Sequence, residues 1–505
     1  MNALRKLAIL SAGALSLMSM TAALPAALSV SAEEQAKTGT WSFDEETGTL
    51  TISGKWNDSS APYGLPVFPW TKLDHADPPV LSVVFADGMT RIPKDALCNF
   101  DSVTSVSLPD SVKSIGAYAF SGCSKLKEIS LPETITEIGE FAFLDTCWLE
   151  DRRAENPLVS ICGFLIDGVT CEGAVQIPDG ITEIGARAFH CNETITEIRF
   201  ANSVKKIGEE AFSVCEALEK AEIPQSVTVL PDFAFYNCGS LRSVVMEKGV
   251  TEIGTHAFGE CKKLSEIVIP ETVNKIAAEA FTGTPWLVAQ QRKNPLVIVN
   301  NVLVDGSTCT GETVIPEGVT EILPGAFMMS KVTSLTLPEG VTAIPWRMCS
   351  FSTELRAVML PKTAVSIGDD AFKDCKNLKE ITIPPSVQSI GFDAFMPANV
   401  TIIGYIGSAA EEYASKNRMN FVAIGRLDQI RLCGDANTDG TFDIADAVLA
   451  AKYIVADSTA VITDAGRINA DVTGDGEILP DDVTAMLQRI ARKILVFPAE
   501  EKNKT

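Results

Sequence analysis

The chain has 505 residues, 46% apolar and 21% charged, a balance that excludes disorder across most of its length. Its 65 acidic against 42 basic side chains give a formal net charge of −23, which argues against nucleic acid, because neutralising phosphates takes clustered Lys and Arg. Three widely separated histidines, His75, His190 and His256, leave little for imidazole-based metal or acid–base chemistry. At the N-terminus Arg5 and Lys6 precede the apolar run Leu7 to Met20, and the segment ends on Val30-Ser31-Ala32. This pattern predicts a signal peptide over residues 1–32, cleaved after Ala32, and therefore export. No later apolar run is long enough to span a bilayer.

From residue 80 onward the chain repeats itself. An Ala-Phe dipeptide closes each unit, at Phe120, Phe143, Phe189, Phe212, Phe235, Phe258, Phe281, Phe327, Phe372 and Phe395. The steps are 23 residues or twice that, with a single slip to 22 between Phe327 and Cys349. Leu97 and Cys349 hold the Phe position in degenerate units, so about fourteen turns are expected. In one turn Ile129 and Leu131 alternate as a short strand, and Pro132 stops its ladder. Ile135 and Ile138 turn the chain back, Gly139 supports a bend, and Ala142-Phe143 plug the interior. Neither half of a turn can bury its apolar side alone, so neighbours must stack into a parallel-strand solenoid with an interior ladder of Phe.

The pattern resembles the bacterial leucine-rich repeats of the BspA-like class. The resemblance implies a mainly β, mixed solenoid over 80–400 with a β-hairpin N-terminal cap over 33–79, the latter on Thr40-Trp41-Ser42-Phe43, Gly48 to Gly54 and Pro69-Trp70. Such a cap hides the first open edge of the stack. It also implies a closing strand–helix–strand over 401–425, from Gly404 through Tyr413 to Phe421.

Both double-length steps carry the same insertion, near 147–171 and 285–309: Trp148-Leu149, Asn156-Pro157 and Asp167-Gly168 match Trp286-Leu287, Asn294-Pro295 and Asp305-Gly306. Two apolar runs around Gly163, or around Asn300-Asn301, read as a β-hairpin with a structural role. The outward strand positions, among them Ser105/Ser107, Glu128/Ser130, Glu197/Arg199, Lys220/Glu222, Ser243/Val245, Glu266/Val268 and Ala357/Met359, hold no aromatic platform, so the strand face suits protein contact better than sugars. No catalytic pattern emerges, and Glu137, Glu183 and Glu252 read as a solvated row. Thirteen cysteines suggest disulfides, but Cys123, Cys215, Cys238, Cys261 and Cys375 all sit three residues after the plug. That common phase marks a repeat position and predicts buried free thiols.

After a linker over 426–432 the pattern changes. Asp435, Asn437, Asp439, Thr441, Asp443 and Asp446 hold positions 1, 3, 5, 7, 9 and 12 of an EF-hand-like loop, with Gly440 at the turn, and a helix follows over Ala447 to Ile454. Thirty-six residues later Asp471, Thr473, Asp475, Glu477 and Asp482 repeat the arrangement before a helix over Val483 to Ile494. Two tandem loops that each gather oxygens around one point predict two Ca²⁺ sites. Leu479 at position 9 and Thr473 at position 3 make the second the weaker one. The short approach to Asp435 and the Asp at position 12 resemble a dockerin, over 433–497, followed by a tail over 498–505.

A dockerin implies docking into a scaffoldin cohesin and membership of a cellulosome that degrades plant polysaccharides. The resemblance implies that Ile444, Ala445, Ala451, Lys452 and Ala456 of the first half, and Pro480, Asp481, Leu487, Gln488 and Arg492 of the second, contact the cohesin. Their unequal polarity speaks against two-way docking. The expected protein is secreted, extracellular and non-catalytic. Its rivals are a polysaccharide hydrolase with a site in the cap or the hairpins, and a cell-surface adhesin.

Overall fold

The computed structural model describes residues 38–58, 68–73, 75–397, 399–427, 433–438, 442–457, 459–491 and 497. The leader over 1–32, residues 428–432 of the linker and the tail over 498–505 lie outside them. The chain divides into two compact units, Met1–Ile166 and Asp167–Thr505. Both are built from parallel coils, about 15 turns in all.

In the first unit Thr38–Asp44 and Thr49–Lys55 pair as an antiparallel hairpin. The second hairpin strand runs parallel to Ser82–Phe85, which is followed in the same sheet by Ser105–Ser107 and Glu128–Ser130. The fully buried Trp70 donates its indole N–H to the Ala96 carbonyl at 2.8 Å and stacks on Phe68 at 4.7 Å. An aromatic plate thus covers the end of the coil.

In the second unit Gly173–Gln176, Ile195–Arg199, Lys220–Ile223, Ser243–Met246 and Glu266–Val268 form one parallel sheet. Lys220 lies opposite Ser243 and Ser243 opposite Glu266, a register that advances by one repeat per strand. Alternate side chains point inward, as period-2 patterning requires.

A second, two-residue strand in each turn, such as Val229–Leu230 beside Glu252–Ile253, forms another parallel ladder, and the segment around the plug, which has no strand, is a hydrogen-bonded ladder too. Glu210, Phe212 and Val214 donate their N–H groups to the carbonyls of Asp232, Ala234 and Tyr236 one turn on, at 3.1, 2.9 and 2.8 Å. Every second N–H can point along the stack because the residues two before and two after the plug are left-handed, with φ of 55° at Glu210 and 59° at Val214. Most of these residues are not glycine, although the conformation costs an L residue about 1–2 kcal/mol. Gly139 does not adopt it. What it provides is room, since a Cβ there would lie 2.3 Å from the Ala117 nitrogen of the preceding turn.

The plug rings stack face to face inside. Phe189, Phe212, Phe235, Phe258 and Phe281 are buried with successive centroids 4.9, 5.0, 5.8 and 5.9 Å apart. Beside them runs a thiol column. No disulfide joins the described cysteines, and Cys215, Cys238 and Cys261 donate to the Phe189, Phe212 and Phe235 carbonyls at 3.1, 3.0 and 3.0 Å. Ser352 makes the same bond with its hydroxyl, to the Phe327 carbonyl at 2.6 Å. The cysteine is therefore a small donor tying one turn to the previous plug.

Each insertion opens with a helix that the sequence reading missed, α1 (Cys147–Glu155) and α2 (Pro285–Lys293). Thr146 and Thr284 cap them by accepting the Leu149 and Leu287 N–H groups, and Pro285 starts α2 at a position where its lost donor is harmless. Trp148 and Trp286 then take the next place in the ring ladder, 4.7 Å from Phe143 and from Phe281. In the second insertion an antiparallel hairpin follows, Val297–Val299 with Val302–Asp305. Gly168 and Gly306 leave space for the rings of Phe189 and Phe327. Thr284→Ala is expected to lower stability by about 1 kcal/mol, read as a shift in the denaturant midpoint, while Thr284→Ser stays near wild type.

The repeats end in Thr401–Ile406, helix α3 (Ala409–Lys416) and Phe421–Arg426, with the Tyr413 ring edge-on to Phe395 at 5.7 Å. Among the described residues beyond 433 lie three helices, α4 (Ile444–Ile454), α5 (Asp464–Ala470) and α6 (Pro480–Ile490). They enclose a small core of Ala436, Ala447, Ala450, Ala470, Val472, Ala485, Met486 and Phe497. Helix α5 was not expected from the sequence.

Candidate functional site

The two C-terminal loops are built on the same plan. In the first, Asp443 precedes α4 and accepts the Ala445 N–H at 2.7 Å. Asp446, fully buried, accepts the Asn437 N–H at 3.1 Å with one oxygen and the Asp443 N–H at 2.9 Å with the other. In the second, Asp482, also fully buried, accepts from Thr473 at 2.9 Å and from Leu479 at 2.8 Å. The position-12 carboxylates thus staple the start and end of each loop, and their short side chains suit that distance. The halves interlock where Gly434 N–H donates to the Asn469 carbonyl at 2.7 Å and Asn469 Nδ2 to the Asp435 carbonyl at 3.0 Å.

In the second loop the chain wraps around Asp471, whose carboxylate accepts the N–H groups of Gly474, Asp475 and Gly476 at 2.7, 3.1 and 3.0 Å. Asp471, Asp475 and Asp482 each bring a carboxylate oxygen within 4.8 Å of the others. Three like charges at that separation, two of them buried, fit a hard divalent cation with oxygen ligands. Glu477 is exposed, which suits a position where the backbone carbonyl would be the ligand, and Thr473 Oγ1 lies 3.5 Å from Asp471. In the first loop Asp435 is buried and Asn437 half-buried, whereas Asp439 and Thr441 lie outside the described residues.

Of the residues assigned to a partner face, Ile444, Ala445, Lys452, Ala456, Pro480, Asp481, Leu487 and Gln488 are exposed and Ala451 is half-buried; Arg492 lies outside the described residues. Helical spacing sets Ile444, Val448, Ala451 and Val455 on one side of the first half, and Val448 and Val455 are exposed too. Sequence reasoning missed these two valines because the run from Ala447 to Ile454 has hardly any polar residue to mark an outer face. Leu487 and Ile490 occupy an outer position in the second half.

The strand faces of the repeats carry no catalytic constellation among the described residues. Glu197 pairs with Arg199 at 2.9 Å and with Lys220 at 3.8 Å, and Lys220 also pairs with Glu222. Glu183 and Glu252 pair with Lys206 and Lys275 one turn on, both at 2.7 Å. Further along, Val268, Val314 and Met359 are exposed on the outward side. In the first unit Ser82, Ser105, Ser107 and Ser130 floor an open groove of ≈ 660 Å³ walled by Asp151, Arg152 and Glu155 of α1. The large exposed aromatic rings Trp346, Phe351 and Phe392 lie on the plug side, where the sequence reading did not look.

The BspA type leucine rich repeat region family matches residues 81–165, 170–287 and 304–412, in six copies. Among solved structures, a leucine-rich repeat protein from Eubacterium ventriosum is 22% identical over 71% of this chain and 92% of its own, with a TM-score of 0.34. One from Bacteroides ovatus is 21% identical over 76% and 98%, at 0.32. A leucine rich cell surface protein from Faecalibacterium prausnitzii is 20% identical over 80% and 95%, at 0.32. No curated protein matches the chain. No helix among the described residues is long and apolar enough to cross a membrane.

Proposed function

The chain belongs to the BspA type leucine rich repeat family, and from that premise we propose that it is a secreted, non-catalytic interaction protein whose C-terminal module, 433–497, is a Ca²⁺-dependent dockerin. The leader over 1–32 exports it, the repeats over 80–400 between their caps present a protein-binding surface, and the module docks into the cohesin of a cellulosome scaffoldin. The observation that carries this reading is the convergence of Asp471, Asp475 and Asp482 in a loop whose plan the first loop repeats. The family match supports a protein-binding role for the repeats, whose strand faces offer polar and charged side chains interspersed with the exposed Val268, Val314 and Met359.

When bound, the ions neutralise the converging carboxylates; the chain's own residues fix each loop, Asp446 and Asp482 by stapling it and Asp471 by organising its backbone. Ile444, Ala445, Ala451, Lys452 and Ala456, joined by Val448 and Val455, form the first docking surface. Pro480, Asp481, Leu487, Gln488 and Arg492 form the second. The test is capture of the full chain on immobilised cohesins of several specificities, with Ca²⁺ and with EGTA. Capture only with Ca²⁺, lost in Leu487→Asp or Val455→Asp, supports the reading; capture indifferent to EGTA overturns it.

The two ions are expected to bind unequally, because Leu479 offers no side-chain oxygen where Asp443 does. Calorimetry on the decalcified chain should resolve two affinities, the weaker abolished by Asp471→Ala and the tighter by Asp435→Ala. A single class of two equal sites would refute the ligand-count argument.

A further inference from the structure

Trp346 is 44% exposed and Phe392 76%, and each stands three residues before a plug position, Cys349 and Phe395. Their common phase places them in one column along the stack, two turns apart. Between them stands the exposed Asp369, whose carboxylate accepts the Phe392 N–H at 2.7 Å. One step of the plug ladder here measures 5.3 Å, from Phe372 to Phe395. The two ring-bearing positions are therefore about 11 Å apart, two rungs of the stack.

The next column is charged. Arg347 pairs with Asp370 at 3.3 Å, and Lys373 bridges Asp370 and Asp393 at 2.9 and 3.1 Å. The Arg347 guanidinium also lies 5.4 Å from the Trp346 ring centroid. The plug side in these turns thus alternates large apolar rings with ionic groups that are already hydrogen-bonded.

We propose that this column binds a polysaccharide strand, with Trp346 and Phe392 taking the apolar faces of two pyranose rings and Asp369 and the Arg347–Asp370–Lys373–Asp393 row bonding their hydroxyls. The chemistry selects this occupant over a protein. A protein interface core excludes water and is depleted of charge, so closing one here would desolvate the exposed Asp369 carboxylate and the still half-exposed Arg347 of the ionic row. A glycan presents ring hydrogens to the aromatic faces and a fringe of hydroxyls to the ions, which keeps the charges solvated while it covers the rings. The two-rung separation suits a ligand that contacts every second turn. This goes beyond the docking role and does not depend on the C-terminal loops.

The test is affinity electrophoresis of the full chain through native gels containing hydroxyethylcellulose, xylan, glucomannan or pectin, each run in Ca²⁺ and in EGTA. The wild type should be retarded by at least one glycan in both buffers. The Trp346→Ala/Phe392→Ala double variant should lose at least about tenfold in affinity, the scale seen when stacking partners are removed from other ring ligands. Trp346→Tyr, which keeps an aromatic face, should retain most of the retardation. Both positions are exposed, so an unchanged melting temperature certifies the fold of each variant. Three outcomes overturn the proposal: no retardation in any gel, which would leave the rings to a protein partner; equal retardation of the double variant; or retardation that requires Ca²⁺. Cohesin capture, measured separately, distinguishes failure here from failure of the docking reading.

Discussion

Phe235→Ala is expected to destabilise the second unit by about 3–5 kcal/mol, among the largest effects a single substitution can have here. The ring is fully buried, 5.0 Å from Phe212 and 5.8 Å from Phe258, both stacked nearly parallel to it. Alanine leaves a cavity that the surrounding coil cannot close, because the Phe235 N–H is fixed to the Ala257 carbonyl at 2.8 Å and its carbonyl accepts the Cys261 thiol. Coupling in a stack runs between nearest neighbours, so the damage should be local. Limited proteolysis with mass spectrometry should find new cuts between residues 212 and 258 and none in the first unit. Phe235→Leu should behave far more mildly. A cleavage pattern identical to wild type would remove the ladder from the account of stability, and loss of Ca²⁺-dependent capture would remove the independence of the C-terminal module.

The second large effect is expected at Asp482. Its two oxygens hold the Thr473 and Leu479 N–H groups, and it is one of the three carboxylates that converge. Asp482→Ala strands two part-buried backbone donors, at a combined cost of about 1–3 kcal/mol, and removes one of the three carboxylates proposed to hold the ion. The core around it is made largely of alanines and has little apolar area to offset such a loss. The module should open even in Ca²⁺, seen as proteolysis confined to residues 433–491 of the full chain. Asp482→Asn keeps oxygen and size but loses charge, so it should fold only at higher Ca²⁺. If Asp482→Ala resists protease in EGTA as well as the wild type does in Ca²⁺, the carboxylate has no structural part in the loop.

The solenoid was legible because its signal is repeated: a phase shared by ten Ala-Phe pairs fixes which residues stack, whatever the detail of any one turn. What sits between the landmarks was harder. Gly139 looked like a bend residue, and its real constraint, the nearness of Ala117 in the previous turn, involves an atom twenty-two positions away. The left-handed residues went unseen because Glu210, Phe233 and His256 bear no glycine-like mark; only the hydrogen bonds of the neighbouring turn demand their conformation. Helices α1 and α2 carried a readable signal in Thr146 and in Thr284-Pro285, but nine residues with so few apolar positions give weak periodicity. The convergence of Asp471, Asp475 and Asp482 was legible from spacing alone, since the intervals that bring their oxygens together are set by the chain itself. The outer faces of α4 and α6 were not, because exposure depends on what packs behind them.

The thiol column has a chemical consequence. Disulfide exchange begins with a thiolate, and burial opposes its formation: in the column it pushes Cys375 up to about 12 and Cys238 well above the ordinary thiol range, and outside it Cys171 and Cys309 to about 11. An oxidant therefore meets sulfurs held in their protonated, less reactive form, and in the column the protons of Cys238 and Cys375 are already donated to the Phe212 and Cys349 carbonyls. Adjacent coils stay chemically separate although they lie close together, and a coil can exchange its sulfur for the hydroxyl of Ser352 without altering the link. Resistance of the column to oxidation thus follows from burial together with the bond each thiol makes to the previous turn, with no need to remove these cysteines.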